Sequence, residues 1–213
     1  MKKFILITLA LLLSSGISVL SKDTEISALG FKFGMDDDDA IDYIESQGNE
    51  IIQNAEDSND LRVVVADGVF TELPEIEEYS DLKTKLEFFK DKLFSTTLII
   101  QSQDQLENNE VEKNLRVYLT KRYGEPIEED KMLYLSSCMW YSSDLKIMLS
   151  GNKEKNLVKL DYTYEPIFQN RMARKVEDKL EAKFKDPARQ MFIDGDFSRP
   201  GIESHKEEKV IDF

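Results

Sequence analysis

The chain contains a single cysteine, Cys138, and a single histidine, His205, among its 213 residues. Ser-His-Asp catalysis, Cys-His catalysis and multi-histidine zinc sites all need a positioned imidazole. Because His205 stands in a C-terminal segment with little hydrophobic periodicity, we do not expect any of these sites. One cysteine also excludes an internal disulfide bond, so the fold must depend on its hydrophobic core. We expect Cys138 to be a buried, inert thiol, since it lies in the apolar segment 132–141.

The sequence also lacks the motifs that identify nucleotide-dependent enzymes and common hydrolases. The glycine-rich phosphate loop, the Gly-x-Ser-x-Gly nucleophile turn and the dinucleotide-binding glycine pattern are all absent. We therefore expect no cofactor and no catalytic residue. A hydrolase that uses carboxylates alone is a less favoured alternative, because 42 acidic residues ensure that some carboxylates lie as close together as those of glycosidases.

The first 21 residues have the layout of a cleavable secretory signal peptide. Lys2 and Lys3 precede the apolar run 4–13, and small residues follow it. This run is too short to cross a bilayer, which needs about 20 apolar residues. We expect cleavage after Ser21, giving a soluble periplasmic or secreted chain without a membrane span. Lipid attachment is excluded because the only cysteine, Cys138, lies far from any processing site.

The charge of the chain is strongly acidic and unevenly distributed. With 28 basic and 42 acidic residues, the net charge is −14, which opposes contact with nucleic acid and favours a basic protein or cations as partners. Residues 167–213 contain ten basic and ten acidic residues, so the excess negative charge lies upstream. We divide the chain into a signal peptide (1–21), an acidic body (22–166), an amphipathic helix (167–186) and a partly disordered tail (187–213).

The first part of the body reads as one helix followed by strands. Asp36 is placed as the N-cap of a helix that ends at Gly48, with apolar residues at helical spacing between them. Apolar and alternating patterns then predict three strands. These strands cover residues 61–66, 82–88 and 93–101.

The second part of the body repeats this order. Ser102 and Gln105 form a capping-box pattern at the start of a helix, and Gly124 ends it. Three further strands are predicted at residues 132–141, 145–150 and 157–164. The fold class is therefore α+β, with two consecutive α-β-β-β units at 34–101 and 102–165, followed by a C-terminal helix and a flexible tail.

Several short segments of the body resemble those of a loose group of exported bacterial proteins. The segments are Phe31–Asp36 leading into a helix, the hairpin Phe88–Leu93, Arg122–Pro126 closing a helix, and Trp140 in the next strand. Together they resemble proteins built from small α-β-β-β modules, such as the small outer-membrane-assembly lipoproteins and the β-lactamase-inhibitor-like proteins. The present chain has neither the cysteine for lipid attachment nor the cysteines for disulfide bonds. The resemblance implies a non-enzymatic binding role.

A C-terminal amphipathic helix is predicted over residues 167–185. Its apolar residues recur every four positions and are flanked by basic side chains, so they form one stripe. The stripe either packs on the body or contacts a partner, and we take it as the candidate partner-contact surface. The residues of the stripe are Phe168, Met172, Val176, Leu180 and Phe184.

We expect an exported, non-enzymatic binding protein of the bacterial cell envelope, whose partner is another envelope or secreted protein. The alternative is a calcium-binding or small-ligand-binding protein that uses the acidic loops 56–60, 72–81 and 125–130. The acidic run 36–39 has a structural explanation, because carboxylates are favoured in the first turn of a helix. We therefore assign no metal ligand.

Overall fold

The computed structural model describes residues 25–57, 60–68 and 81–184, with side chains described as far as residue 179. The predicted signal peptide, the predicted tail and most of the acidic loop 72–81 lie outside these ranges. The helices are α1 (Asp37–Ser46), α2 (Gln105–Tyr123) and α3 (Glu165–Phe184). The strands are β1 (Ser27–Ala28), β2 (Phe31–Lys32), β3 (Ile51–Glu56), β4 (Leu61–Asp67), β5 (Leu82–Phe89), β6 (Lys92–Gln101), β7 (Glu128–Lys131), β8 (Leu135–Ser142), β9 (Leu145–Asn152) and β10 (Leu157–Tyr164).

Strands β3 to β10 form one antiparallel sheet in the order β3-β4-β5-β6-β10-β9-β8-β7. Helix α1 with β3–β6 is the first unit, and α2 with β7–β10 is the second. The last strands of the two units, β6 and β10, pair at the centre of the sheet. The α+β class and the predicted order of a helix followed by antiparallel strands are confirmed.

Each unit has four strands rather than the three predicted. The missed strands, β3 and β7, are the two edges of the sheet and are almost entirely exposed. The sequence of β7 is Glu-Glu-Asp-Lys, so it carries no apolar alternation that could reveal a strand. Backbone pairing with β8, rather than burial of side chains, gives this segment its extended form.

The hydrophobic core lies between the sheet and helices α1 and α2. Alternate residues of each strand point to this side, and the side chains of Ala40, Ile44, Val111, Leu115 and Leu119 cover them. One row of directly paired, buried residues crosses six strands. It consists of Val64, Leu86, Thr96, Tyr162, Ile147 and Trp140.

Helix α2 begins two residues later than the capping-box prediction requires. Its N-cap is Asp104, whose Oδ1 accepts hydrogen bonds from the backbone N–H groups of Leu106 and Glu107 at 2.8 and 2.9 Å. Ser102 lies before the cap and is buried, so the predicted role of Ser102 was wrong. The predicted end at Gly124, with a φ of 86°, is correct.

Two carboxylates of the acidic run at the start of α1 form ion pairs with basic side chains of the sheet. Asp36 is the N-cap residue, as predicted, but its carboxylate makes no capping hydrogen bond and lies 2.7 Å from Lys92 Nζ on β6. Asp37 is buried and paired with Arg62 of β4. These carboxylates therefore attach α1 to the sheet.

Helix α3 lies on the side of the sheet opposite α1 and α2. Phe94 points away from the core of the two units yet is only 1% exposed, because the Phe168 ring packs against it at a centroid distance of 6.3 Å. Arg171 lies over the same ring at 5.4 Å. None of the helices within the described ranges is long and apolar enough to span a membrane.

Candidate binding surface

The predicted contact helix divides into an attached part and an exposed part. Phe168 is half-buried against Phe94, whereas Met172 and Val176 are 40% and 54% exposed. Leu180 and Phe184 belong to α3, but their side chains lie outside the described part of the chain. Phe168 therefore anchors the helix, and the exposed stripe begins at Met172.

The sheet side opposite α1 and α2, which we call the open face, carries polar and apolar side chains in rows. Helix α3 covers one end of the open face, and none of the other described helices packs on the rest of it. One row of directly paired residues crosses all eight strands, with charge at its centre and methionines towards β7. The row consists of Gln53, Val65, Lys85, Thr97, Asp161, Met148, Met139 and Glu128.

A groove of about 450 Å³ occupies the part of the open face formed by β7–β10. Its floor contains the paired residues Ser137 and Ser150, whose small side chains leave the space above them empty. Asp130 pairs with Ser137 on one side, and Lys159 pairs with Ser150 on the other. We call this the serine groove, defined by Asp130, Ser137, Ser150, Lys159 and Leu157.

The charges of the serine groove are not neutralised by each other. Among the described residues, neither Asp130 nor Lys159 takes part in an ion pair. Lys155 also lines the groove, so its lining carries two positive charges and one negative charge. The residues that line the groove thus carry one net positive charge on a protein whose net charge is −14.

The turn between β7 and β8 forms an exposed apolar surface beside the groove. Met132, Leu133, Tyr134 and Leu135 are between 49% and 79% exposed, and we call them the apolar tip. The Met132 N–H donates to the Leu135 carbonyl at 2.8 Å, and the Lys153 N–H donates to the Tyr134 carbonyl at 2.8 Å. The apolar tip is therefore a fixed turn attached to the neighbouring β9–β10 turn.

Further exposed apolar side chains lie on β8 and β9, beyond the serine pair. Tyr141 and Met148 are 46% and 36% exposed, and Met139 lies directly opposite Met148 on the open face. Half of the large apolar side chains that are exposed within the described ranges lie between residues 132 and 148. A concentration of exposed apolar side chains of this kind is typical of interaction sites in soluble proteins.

The edges of the sheet are poorly suited to adding another strand. Strand β7 has only four residues, all charged, and β3 has an irregular register between Ile51 and Gln53. Short charged strands and bulges are the features that protect natural sheet edges from pairing. The binding surface is thus better sought on the open face than on the edges.

The other candidate chemical groups are placed as follows. Cys138 is buried in the core, as predicted, and burial raises the pKa of its thiol. His205 lies outside the described residues. Within the described ranges, no group of three or more His, Cys, Asp or Glu side chains is arranged to hold a metal ion.

The sequence interpretation missed the apolar tip because it assigned residues 132–141 to a single strand. The strand begins only at Leu135, so residues 132–134 lie in the exposed turn. Residues 132–134 are as apolar as a buried strand, so local composition gives no signal that separates this turn from β8. Comparison with protein-family models, with curated proteins and with solved structures finds no match.

Proposed function

We propose that the chain is an exported, non-enzymatic binding protein of the bacterial cell envelope that holds a partner protein against the apolar tip and the serine groove. The observation that carries this proposal is the apolar tip, a hydrogen-bonded turn that presents four consecutive large apolar side chains to solvent. A turn fixed in this way loses little conformational entropy when a partner covers it.

The energetic gain from covering the apolar tip is substantial. Full burial of one Leu or Met side chain contributes about 1.5–3 kcal/mol, and a few well-buried residues supply most of the affinity of a typical interface. Leu133 is 79% exposed and Met132 is 73% exposed, so both have most of their surface left to bury. Met139 and Met148 add flexible thioether side chains that fit partners of varied shape.

The serine groove defines the polar chemistry of the partner. Lys155 and Lys159 favour a carboxylate, while Asp130 on the opposite wall accepts hydrogen bonds from a hydroxyl or an amide. The partner segment therefore carries apolar side chains for the tip and an acidic side chain for the lysines. The negative charge of the whole chain still favours approach of a protein that is basic overall.

The exposed residues of α3 form a second contact element in this proposal. Met172 and Val176 are exposed, while Phe168 holds the helix on Phe94. Deleting α3 would uncover Phe94 and reduce stability, so truncation cannot separate binding from folding. Single surface substitutions on α3 avoid this difficulty.

Site-specific photo-crosslinking in cells tests the proposal. A crosslinking amino acid replaces Leu133, Met172 or, as the matched control, Val117, which is an exposed apolar residue of α2 on the other side of the sheet. We expect one discrete crosslinked protein at Leu133 and none at Val117. Crosslinking at Met172 to the same protein would place α3 in the interface.

The functional part of the test uses Leu133→Ser, Met172→Ser and Val117→Ser. Leu133→Ser is expected to abolish the crosslink made from a neighbouring tip position, while Val117→Ser leaves it unchanged. Equal crosslinking at all three positions, or no crosslink at Leu133 in the cells that produce the protein, would contradict the proposal.

Export is tested independently by the N-terminus of the accumulated protein. We expect N-terminal sequencing of the envelope fraction to begin at Lys22, after cleavage at Ser21. Recovery of the protein in the cytoplasm with Lys2 and Lys3 still present would contradict export, but it would leave the binding proposal to the crosslinking result.

A further inference from the structure

A second, smaller cavity lies between the β1–β2 turn and the last turns of α2. Its volume is about 180 Å³. The turn is tight because Leu29 and Gly30 both adopt positive φ values, 52° and 86°, and this brings its backbone against the end of the helix. The side chains lining the cavity that carry polar groups are Ser27, Tyr118, Arg122, Tyr123 and Tyr162.

Arg122 is held in place by the two tyrosines of its own helix. Its Nη1 donates a hydrogen bond to Tyr118 Oη at 2.8 Å, and its guanidinium carbon lies 5.4 Å from the centre of the Tyr123 ring. A guanidinium group has five N–H donors. Among the described residues this is the only side-chain hydrogen bond of Arg122, so most of its donors have no protein acceptor.

The tyrosine hydroxyls add further donors to the cavity. Because Tyr118 Oη accepts from Arg122, its own O–H remains able to donate. Tyr162 is 3% exposed, and burial raises the pKa of its hydroxyl, which keeps it protonated. Tyr123 lines the cavity beside Tyr118, so its hydroxyl is a further group that can donate there.

The cavity lining contains one positive charge and no carboxylate. This is unusual in a chain with 42 acidic residues, and two other arginines of the body pair with carboxylates. Arg62 pairs with Asp37, and Arg116 pairs with Glu129. The pKa of Arg122 is instead raised mainly by the hydrogen bond to Tyr118, with no carboxylate contributing.

We propose that this cavity binds a small monocarboxylate, with the Arg122 guanidinium paired to the carboxylate and the Tyr118 and Tyr123 hydroxyls donating to it. A planar guanidinium fork matches a carboxylate, and bidentate pairs of this kind are among the stronger hydrogen bonds in proteins. The site is distinct from the serine groove and does not depend on the proposed partner.

The size and charge of the cavity define the ligand more closely. A cavity of roughly 150 Å³ holds one benzene molecule, so a volume of about 180 Å³ suits a carboxylate on a single ring or a short chain. One guanidinium balances one negative charge, whereas a phosphate dianion would leave excess negative charge in an already acidic protein. The C-terminal end of α2 carries partial negative charge, so we expect affinity in the millimolar range.

The test is an NMR titration of the protein with sodium benzoate at constant pH and ionic strength, with benzamide as the neutral probe of the same shape. We expect saturable shifts of the Leu29 and Gly30 amides with benzoate and none with benzamide. Arg122→Gln should weaken benzoate binding at least tenfold, and Tyr118→Phe should weaken it by a smaller factor. Lys121→Gln removes the same charge from the adjacent helix position and should leave binding unchanged.

Several results would overturn the proposal. They are equal binding of benzamide, undiminished binding by Arg122→Gln, no saturable shift up to about 50 mM benzoate, or tighter binding of inorganic phosphate. If Arg122→Gln fails to fold, Arg122→Lys serves in its place, because it keeps the charge but loses the planar fork. The Lys variant should bind benzoate several-fold more weakly than the native protein, and equal binding would count against a guanidinium–carboxylate pair.

Discussion

Thr97 and Asp161 face each other across the central strand pair of the sheet, with Thr97 Oγ1 donating to Asp161 Oδ1 at 2.6 Å. The two residues belong to the last strands of the two units, β6 and β10. This carboxylate at the junction of the units is surrounded by Lys85, Lys159 and Glu87. Burial raises the pKa of Asp161, while the hydrogen bond from Thr97 and the two lysines oppose that shift.

Asp161→Asn is expected to stabilise the protein at neutral pH. An amide oxygen still accepts from Thr97, but no charge is buried. Because the folded-state pKa of Asp161 lies above the unfolded value of about 3.9, the folded state binds more protons between the two values, and native stability falls as pH rises through them. We therefore expect Asp161→Asn to be more stable than the native protein at pH 7.

Urea unfolding of the native protein and Asp161→Asn as a function of pH measures this effect. The difference in the free energy of unfolding should grow as pH rises above about 4 and then become constant. Asp130→Asn, which changes an exposed carboxylate of the same sheet, is the control and should change stability little. A loss of stability in Asp161→Asn at neutral pH would contradict the prediction.

Arg116→Gln should weaken the attachment of β7, the strand at one edge of the serine groove, to helix α2. Arg116 on α2 forms two parallel hydrogen bonds to Glu129 on β7, at 2.7 and 2.6 Å. These bonds are the main reason why the pKa of Glu129 is lowered to about 2, with Lys131 contributing. We expect faster amide hydrogen exchange in residues 128–131 and a Glu129 pKa closer to its ordinary value, both measured by NMR.

The pH dependence of this pair has the opposite sign to that of Asp161. The folded-state pKa of Glu129 lies below the unfolded value, so the stabilisation is present above about pH 4.3 and is lost as pH falls towards 2. Lys113→Gln is the matched control, since it removes a charge from the same helix without breaking this pair. Unchanged exchange in β7 of Arg116→Gln would show that strand pairing alone holds the edge.

Gly151→Ala should destabilise the protein through a contact between β9 and α2. A Cβ atom at Gly151 would lie too close to the Glu112 carboxylate and within 2.7 Å of Ser136 Oγ. Overpacking of this kind costs about 1–3 kcal/mol. Glu112→Ala in the same chain should recover part of the loss, because the contact with Ser136 Oγ remains, and the four proteins form a double-mutant cycle measured by urea unfolding. Additive effects of the two changes would contradict a direct contact.

The sequence predicted the buried strands of each unit more accurately than the edge strands and the exposed turns. Segments such as 157–164 were predicted with the observed bounds, because alternating apolar residues report directly which side is buried. Strand β7 could not be recognised, since its residues are charged and only long-range pairing extends them. The apolar tip was assigned to a strand because local apolar content does not distinguish a buried segment from an exposed turn.

The binding surface depends on register, which no local pattern encodes. Ser137 and Ser150 form a groove floor only because β8 and β9 pair in a register that places them opposite each other. Likewise, Arg122 and Tyr162 lie far apart in the chain and line one cavity through the packing of α2 on β10. The helical stripe was visible in the sequence, but its division into an anchor and an exposed part follows from the position of Phe94.

Phe168→Ala should loosen α3 while leaving the two units folded. Phe168 covers Phe94, which is 1% exposed, and loss of a partly buried aromatic ring costs about 1–3 kcal/mol, below the value for a fully buried one. We expect faster amide exchange throughout residues 165–179 and little change in the buried strands. Met172→Ala removes a side chain that is 40% exposed and should barely alter exchange in α3. If amide exchange in α3 is equally slow in both variants, Phe168 is not the anchor of this helix. The contact of Arg171 with Phe94 must then hold the helix.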